Sequence, residues 1–229
     1  MIERDLQRSL GIEFLGSFAL SFFAVAAAVA SEGSDLIAIA LAPGIATGAL
    51  LAAFGAASIG CFNPALTLGL LLNRSINLRT AGLAISSQVI GAIAGALSLY
   101  AIYPSSAFGE VDRGAPIMNA TFLAGSDAFT LSSLNALAAE GIATFLLMLV
   151  FLSVRHTGNW LAAGVATGLT ITVASLGLSD VSGAMLNPAR YIGAALAFSQ
   201  GESFWVWIVG PIAGAALAAV LYARLLATP

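Results

Sequence analysis

The chain has 229 residues, of which 59% are apolar and only 8% charged, with mean hydropathy +0.98 and a formal net charge of −3. A water-soluble domain carries about 25% charged residues, so this composition excludes a soluble fold and makes lipid the expected solvent. All eight cations are Arg, and the lack of any basic patch excludes a nucleic-acid partner.

A hydrocarbon core of ~30 Å takes about 20 apolar residues in helical form, and six stretches meet that length. The first is Leu10–Ala30. It follows Arg4 and Arg8 and ends in Ala28-Val29-Ala30, which resembles a signal-cleavage site. Glu13 interrupts the run, however, and the segment has a counterpart later in the chain, so it is expected to be retained. Leu36–Ala57 is the second span. Asn63–Leu72 comes next; it is apolar but has only about ten residues, or roughly 15 Å of helix, half a bilayer. Thr80–Tyr103 is the third span. The link from about Pro104 to Thr130 carries no charge run or low-complexity tract. Leu131–Val154 and Asn159–Leu178 are the fourth and fifth spans. A second short stretch, Asn187–Ala197, precedes the last span, Ser203–Leu226.

Six spans put both termini on one side of the membrane. In this arrangement Arg4, Arg8, Arg74, Arg79, Arg155 and Arg224 share the side of the termini. The other side holds Glu32, Asp35, Glu110, Asp112, Asp127, Asp180 and Glu202, with only Arg113 and Arg190. The positive-inside rule then makes both termini cytoplasmic. One transmembrane domain over 1–229 is expected, with repeats at 1–103 and 131–229 joined by an outer loop at 104–130.

The repeat is visible in the residues. Glu13 lies in the first span and Asn63-Pro64-Ala65 follows it after 50 residues; Glu140 lies in the fourth span and Asn187-Pro188-Ala189 follows after 47. Each half has three spans, an odd number, so the second half starts from the opposite side and the repeat is inverted. Inverted repeats with interrupted helices place their site at the midplane.

Asn is a favoured N-cap, and Pro is favoured at the first helical position, where its missing N–H would find no partner anyway. Each triplet therefore reads as a helix start. Two half-helices entering from opposite faces would meet N-terminus to N-terminus, each with roughly half a positive charge from its dipole. That centre repels cations. The two Asn oxygens would hold the caps, and their amide N–H groups would face a lumen as donors to a water or hydroxyl oxygen. Two simple caps in a packed bundle would need the same residues, but irregular backbone at membrane depth normally lines a cavity or is buried in protein.

These motifs resemble those of the aquaporin and glycerol-facilitator family, the major intrinsic proteins. The likeness covers nearly the whole chain: Glu13-Phe14-Leu15-Gly16, Gln88 with Gly91, Ser182-Gly183-Ala184 leading into Asn187-Pro188-Ala189-Arg190, and Trp205 through Gly210-Pro211. It implies an all-α membrane fold of six transmembrane helices plus two re-entrant half-helices in an inverted 3+3 repeat. It also implies a homotetramer in the cell membrane, each subunit with its own pore, and no cofactor or metal.

The family's narrow filter has an Arg after the second triplet, which is Arg190 here. Ungapped spacing places the other three filter positions at Pro43, Ser175 and Ala184. Strict water channels usually have an aromatic and a His at the first two, and the glycerol branch has an Asp where this chain has Tyr191. The small-sided filter resembles that of the nodulin-26-like and metalloid-permeating branches more closely. Glu13 and Glu140 resemble the family's buried acceptors for the loop backbone, although a proton relay would also use intramembrane carboxylates. Cys61 stands where the family often has His, lining the inner vestibule or packed as a small residue.

Four glycine pairs spaced four apart, Gly44/Gly48, Gly91/Gly95, Gly164/Gly168 and Gly210/Gly214, read as close helix contacts in lipid. Trp160 and Trp205 read as interface anchors, and His156 as a solvated loop residue. The expected function is a passive channel for water and small uncharged solutes such as glycerol, urea or neutral metalloid acids. Ions and protons are excluded. An ion-coupled carrier is the alternative. One His and one Cys leave little material for an enzyme.

Overall fold

The computed structural model describes residues 3–108, 128–201 and 203–226. Eight α-helices form there: α1 (Glu3–Ala30), α2 (Leu36–Phe54), α3 (Pro64–Leu72), α4 (Leu78–Ser98), α5 (Ala128–Arg155), α6 (Trp160–Ser182), α7 (Pro188–Ala197) and α8 (Trp205–Leu221). No strand occurs among the described residues. Glu110, Asp112, Arg113, Asp127 and Glu202, used above to assign sides, lie outside them.

Six of the helices are long and apolar enough to cross a bilayer. The expected spans hold to within a few residues at most ends; α1 starts seven residues earlier than predicted and α6 runs four residues further, to Ser182. Polar caps explain the clean starts. Asp35, Asn77 and Asn159 each accept a hydrogen bond from the backbone N–H three residues on, at 3.0, 2.9 and 3.0 Å. Each satisfies one of the orphan donors of a helix start.

The spans turn their large apolar side chains outward. Leu15, Ile37, Ile45, Ile90, Ile142, Leu161, Leu169, Val173 and Leu217 are all more than half exposed. So much apolar surface would drive aggregation in water but suits a lipid solvent. Where the spans meet face to face, packing comes from small residues instead, because lipid provides no hydrophobic drive between helices. The most extensive contact is α2 on α6, followed by the matched pairs α1 on α4 and α5 on α8.

All four predicted glycine pairs sit in these seams. A Cβ on Gly44 or Gly48 would strike the carbonyl oxygen of Gly168 or Gly164, at 2.6 and 3.1 Å. On Gly91 and Gly95 it would strike the Phe14 and Phe18 carbonyls of α1; on Gly210 and Gly214, the Leu137 and Gly141 carbonyls of α5. The α1–α4 and α5–α8 seams are therefore the same contact made twice, which is the 3+3 repeat in packing terms.

The short helices α3 and α7 lock the halves together. Helix α3, from the first half, packs most against α8 of the second, and α7 packs most against α4 of the first. A buried cluster around Phe62, Leu66, Leu147, Met148, Phe151 and Leu186 packs around their meeting point.

Candidate pore at the meeting of two half-helices

Each half-helix starts at its Asn-Pro-Ala triplet. Asn63 and Asn187 adopt nearly the same extended cap conformation, φ −154°, ψ 117° and φ −151°, ψ 109°. The Asn63 Oδ1 accepts from Ala65 N–H at 2.8 Å, and the Asn187 Oδ1 from Ala189 and Arg190 N–H at 3.0 and 3.3 Å. Pro64 and Pro188 take the first helical position, as their missing N–H allows.

The two caps also hold each other. The Asn63 amide donates to the Leu186 carbonyl at 2.9 Å, and the Asn187 amide donates to the Phe62 carbonyl at 2.8 Å. The half-helices thus meet N-terminus to N-terminus through reciprocal bonds. One N–H of each amide is committed to the opposite loop, where the sequence pointed both toward a lumen; an amide NH₂ has two, so one remains.

The loop before each cap is set by a carboxylate. The Oε1 of fully buried Glu13 accepts Gly60 and Cys61 N–H at 2.8 and 3.3 Å, and its Oε2 accepts Phe62 N–H at 2.8 Å. Glu140, also fully buried, accepts Met185 N–H at 2.8 Å and Leu186 N–H at 2.6 Å. Because trans peptides are planar, an N–H turned to the carboxylate turns the preceding carbonyl away from it. The carboxylates therefore aim the carbonyls of Gly60, Cys61, Ala184 and Met185 to the opposite side.

This arrangement needs left-handed backbone at matching places, Gly60 and Phe62 (φ 71° and 49°) and Ala184 and Leu186 (φ 47° and 56°). Non-Gly residues in that region cost on the order of 1–3 kcal/mol each and persist only when their surroundings over-determine them. Hydrogen bonds to a charged group, about 1.5–3 kcal/mol each, offset that cost.

Behind the carboxylates the two halves differ. Gln88 on α4 donates from Nε2 to Glu13 at 2.6 Å and to the Thr67 hydroxyl at 2.9 Å; Thr67 in turn donates to the Asn63 carbonyl at 2.9 Å. In the second half Ser182 donates from its hydroxyl to Glu140 at 2.7 Å, and Trp207 on α8 donates from its indole N–H to the Ser182 carbonyl at 2.7 Å.

The predicted filter residues separate. Arg190 is buried at the first turn of α7, and its Nη1 donates to the Ala184 and Met185 carbonyls at 2.9 and 3.2 Å. A narrow cavity of about 20 Å³, roughly the room one water needs, lies against Arg190, both cap asparagines, and Pro43 and Thr47 of α2. Cys61 also lines it. Ser175 is buried with its hydroxyl unpaired and lies outside the cavity lining; Ile171, one turn earlier on α6, takes that place. Ala184 contributes its carbonyl to Arg190, and its side chain lies outside the lining too.

Away from the cavity, Trp160 is partly buried rather than a plain interface anchor. It packs against Gly55 and Gly60 of the first loop and lies under the Arg155 guanidinium, 5.5 Å from its ring centroid. Trp205 is 39% exposed, as an interface residue would be. The exposed His156 has a 3.4 Å contact with the Tyr222 hydroxyl.

Sequence reasoning passed over Trp207 and Thr67 and quoted Gln88 only as part of a resemblance. A signal was available. Gln88 lies three residues before Gly91/Gly95, and Trp207 lies three before Gly210/Gly214. The repeat register pairs them.

Comparison with known proteins agrees with this architecture. The profile of the family described as "Major intrinsic protein" matches residues 2–222. Similar proteins include the "Glycerol uptake facilitator protein-like 6" of Lactiplantibacillus plantarum, 38% identical over 212 residues that cover 90% of this chain and 93% of that one. Human aquaporin-5 is 37% identical over 220 residues, covering 93% and 79%. Among solved structures, the aquaglyceroporin from Plasmodium falciparum shares the fold at a TM-score of 0.82, with 22% identity and coverage of 96% and 97%.

Proposed function

The chain belongs to the major intrinsic protein family, and from that premise we propose that it is a passive pore for water and small uncharged solutes that excludes ions and protons. It is a multi-pass membrane protein and not an enzyme. Its relatives' names, glycerol uptake facilitator and aquaporin, bring both kinds of solute into the proposal. The observation that carries it is the reciprocal bonding of Asn63 and Asn187 to the opposite loop carbonyls beside a narrow cavity. Packed helix caps have no need of a cavity between them.

The chemistry follows from the groups at that point. Each Asn keeps one amide N–H for a passing oxygen, and the backbone carbonyls aimed by Glu13 and Glu140 offer acceptors along the path. A water oxygen that accepts from both asparagines turns its own hydrogens outward, which breaks the donor chain that proton hopping needs. The two helix N-termini add positive potential at the same place. Arg190 spends Nη1 on two carbonyls, leaving its Nη2 and Nε donors for a solute oxygen and its charge as a barrier to cations.

Pro43 and Ser175 stand where strict water channels usually have an aromatic and a His, so neither of those groups closes the constriction, and Ile171 lines the cavity in the Ser175 place. The filter we propose rests on Arg190 with Pro43, Ala184 acting through its carbonyl, and it admits glycerol, urea and neutral metalloid acids beside water. Both termini are cytoplasmic in this reading, so α3 enters from the cytoplasm and α7 from outside. The assembly is a homotetramer of independent pores.

Osmotic swelling of proteoliposomes in stopped flow tests the proposal, with water, glycerol, urea and arsenious acid in turn. Faster swelling than in empty vesicles, linear in solute gradient, is the expected result. Saturation with uphill accumulation would mean an ion-coupled carrier, and swelling equal to empty vesicles would remove the pore reading.

A further inference from the structure

The geometry points to Trp207 as a positioning residue that sets Arg190, a role resting on the reading of Arg190 as the filter. Trp207 holds the arginine from two directions. From one side its indole N–H donates to the Ser182 carbonyl at 2.7 Å. That carbonyl belongs to the last residue of α6, one of the acceptors a helix end leaves without an intrahelical donor. With its carbonyl pinned, Ser182 donates its hydroxyl to Glu140 at 2.7 Å and accepts Ala184 N–H at 3.2 Å. The carbonyls of Ala184 and Met185, two and three residues beyond Ser182, are the ones that hold the Arg190 guanidinium.

From the other side the Trp207 ring stacks on Tyr191, the residue after Arg190 on α7, with centroids 4.9 Å apart and planes 7° from parallel. One fully buried side chain thus fixes both the carbonyls that the guanidinium grips and the half-helix that carries it. Its counterpart in the repeat, Gln88, has a shorter reach. It bonds Glu13 and Thr67 directly and serves a half-helix with Leu66 where the other has Arg190. Simple core packing would require a bulky ring at 207. It would not require an N–H aimed at a helix-terminal carbonyl.

The test is Trp207→Phe, which keeps a ring for Tyr191 and deletes the donor, compared with Arg190→Val and the double variant in proteoliposomes. The glycerol-to-water permeability ratio should move in the direction of Arg190→Val by about fivefold, the worth of one neutral hydrogen bond. It should then show no further change when Trp207→Phe is added to Arg190→Val. A ratio unchanged by Trp207→Phe but shifted by Arg190→Val overturns the inference and leaves the filter reading standing. An equal shift in both backgrounds also overturns it, because the effect would not pass through Arg190. A ratio unchanged by Arg190→Val removes the filter reading, and the inference with it. Should Trp207→Phe fail to fold, benzothienylalanine at 207 gives the same reading, since its sulfur replaces the N–H at constant shape.

Discussion

The first re-entrant loop and the second are built alike up to their helix caps and diverge beyond them. Both have left-handed residues one and three places before the cap, a buried carboxylate accepting consecutive N–H groups, an Asn cap and a Pro at the first helical position. Past the cap, the first half has Leu66 in the core and the second has Arg190 bonded to its own loop. The brace behind the carboxylate also differs, an amide in one half and an indole with a serine in the other. The duplicated part solves a problem that both halves share, which is to end a helix inside lipid without orphaned backbone groups. The part that differs is free to act on the solute, and the proposal puts the one full charge, that of Arg190, in the second half.

The largest expected effect tests the shared part. Glu13→Gln and Glu140→Gln each replace an acceptor oxygen with an NH₂ group facing backbone donors. Each should cost about 3 kcal/mol or more, read as a fall in thermal midpoint and folded yield in detergent. Tolerance of one substitution but not the other would break the equivalence of the loops.

The helix seams come next. Gly95→Val and Gly214→Val push a side chain into the Phe18 and Gly141 carbonyls and should each cost about 1–3 kcal/mol. The two losses should match, because the seams match; a twofold difference in destabilisation would sharpen where the repeat has drifted.

Of similar size is Gln88→Leu, which removes one of the bonds to Glu13. A loss of about 1.5–3 kcal/mol in stability is expected, with the glycerol-to-water ratio unchanged, since Gln88 makes no bond to the loop that holds Arg190. A shift in that ratio would show the halves to be coupled. Least of all, Cys61→Ser, a near-isosteric exchange at the cavity wall, should leave water permeability within about twofold. It should also abolish block by a thiol-directed reagent, measured by swelling before and after treatment.

Much of this was readable from residue types and spacing, for physical reasons. Span length follows from bilayer thickness, so the six long helices emerge from hydropathy alone. The caps follow from Asn and Pro, and the packing seams from glycines four apart. What spacing could not supply is direction. Nothing in the order Ser175, Ala184, Arg190 says that the serine hydroxyl turns away from the cavity or that Ala184 acts through its carbonyl. The exchange of bonds between Asn63 and Asn187 is equally silent in sequence, because it joins atoms over a hundred residues apart. Trp207 looks like any apolar residue in a span until its N–H is seen to meet the end of α6.

The central claim is that two opposed half-helices enclose a passage that water crosses and protons do not. Measuring water and proton flux in the same proteoliposomes, by light scattering and an entrapped pH dye, tests it most directly. The account predicts water permeability well above empty vesicles with proton flux at the empty-vesicle level. Proton flux that rises in proportion to water flux, or water flux no greater than that of bare lipid, would contradict it.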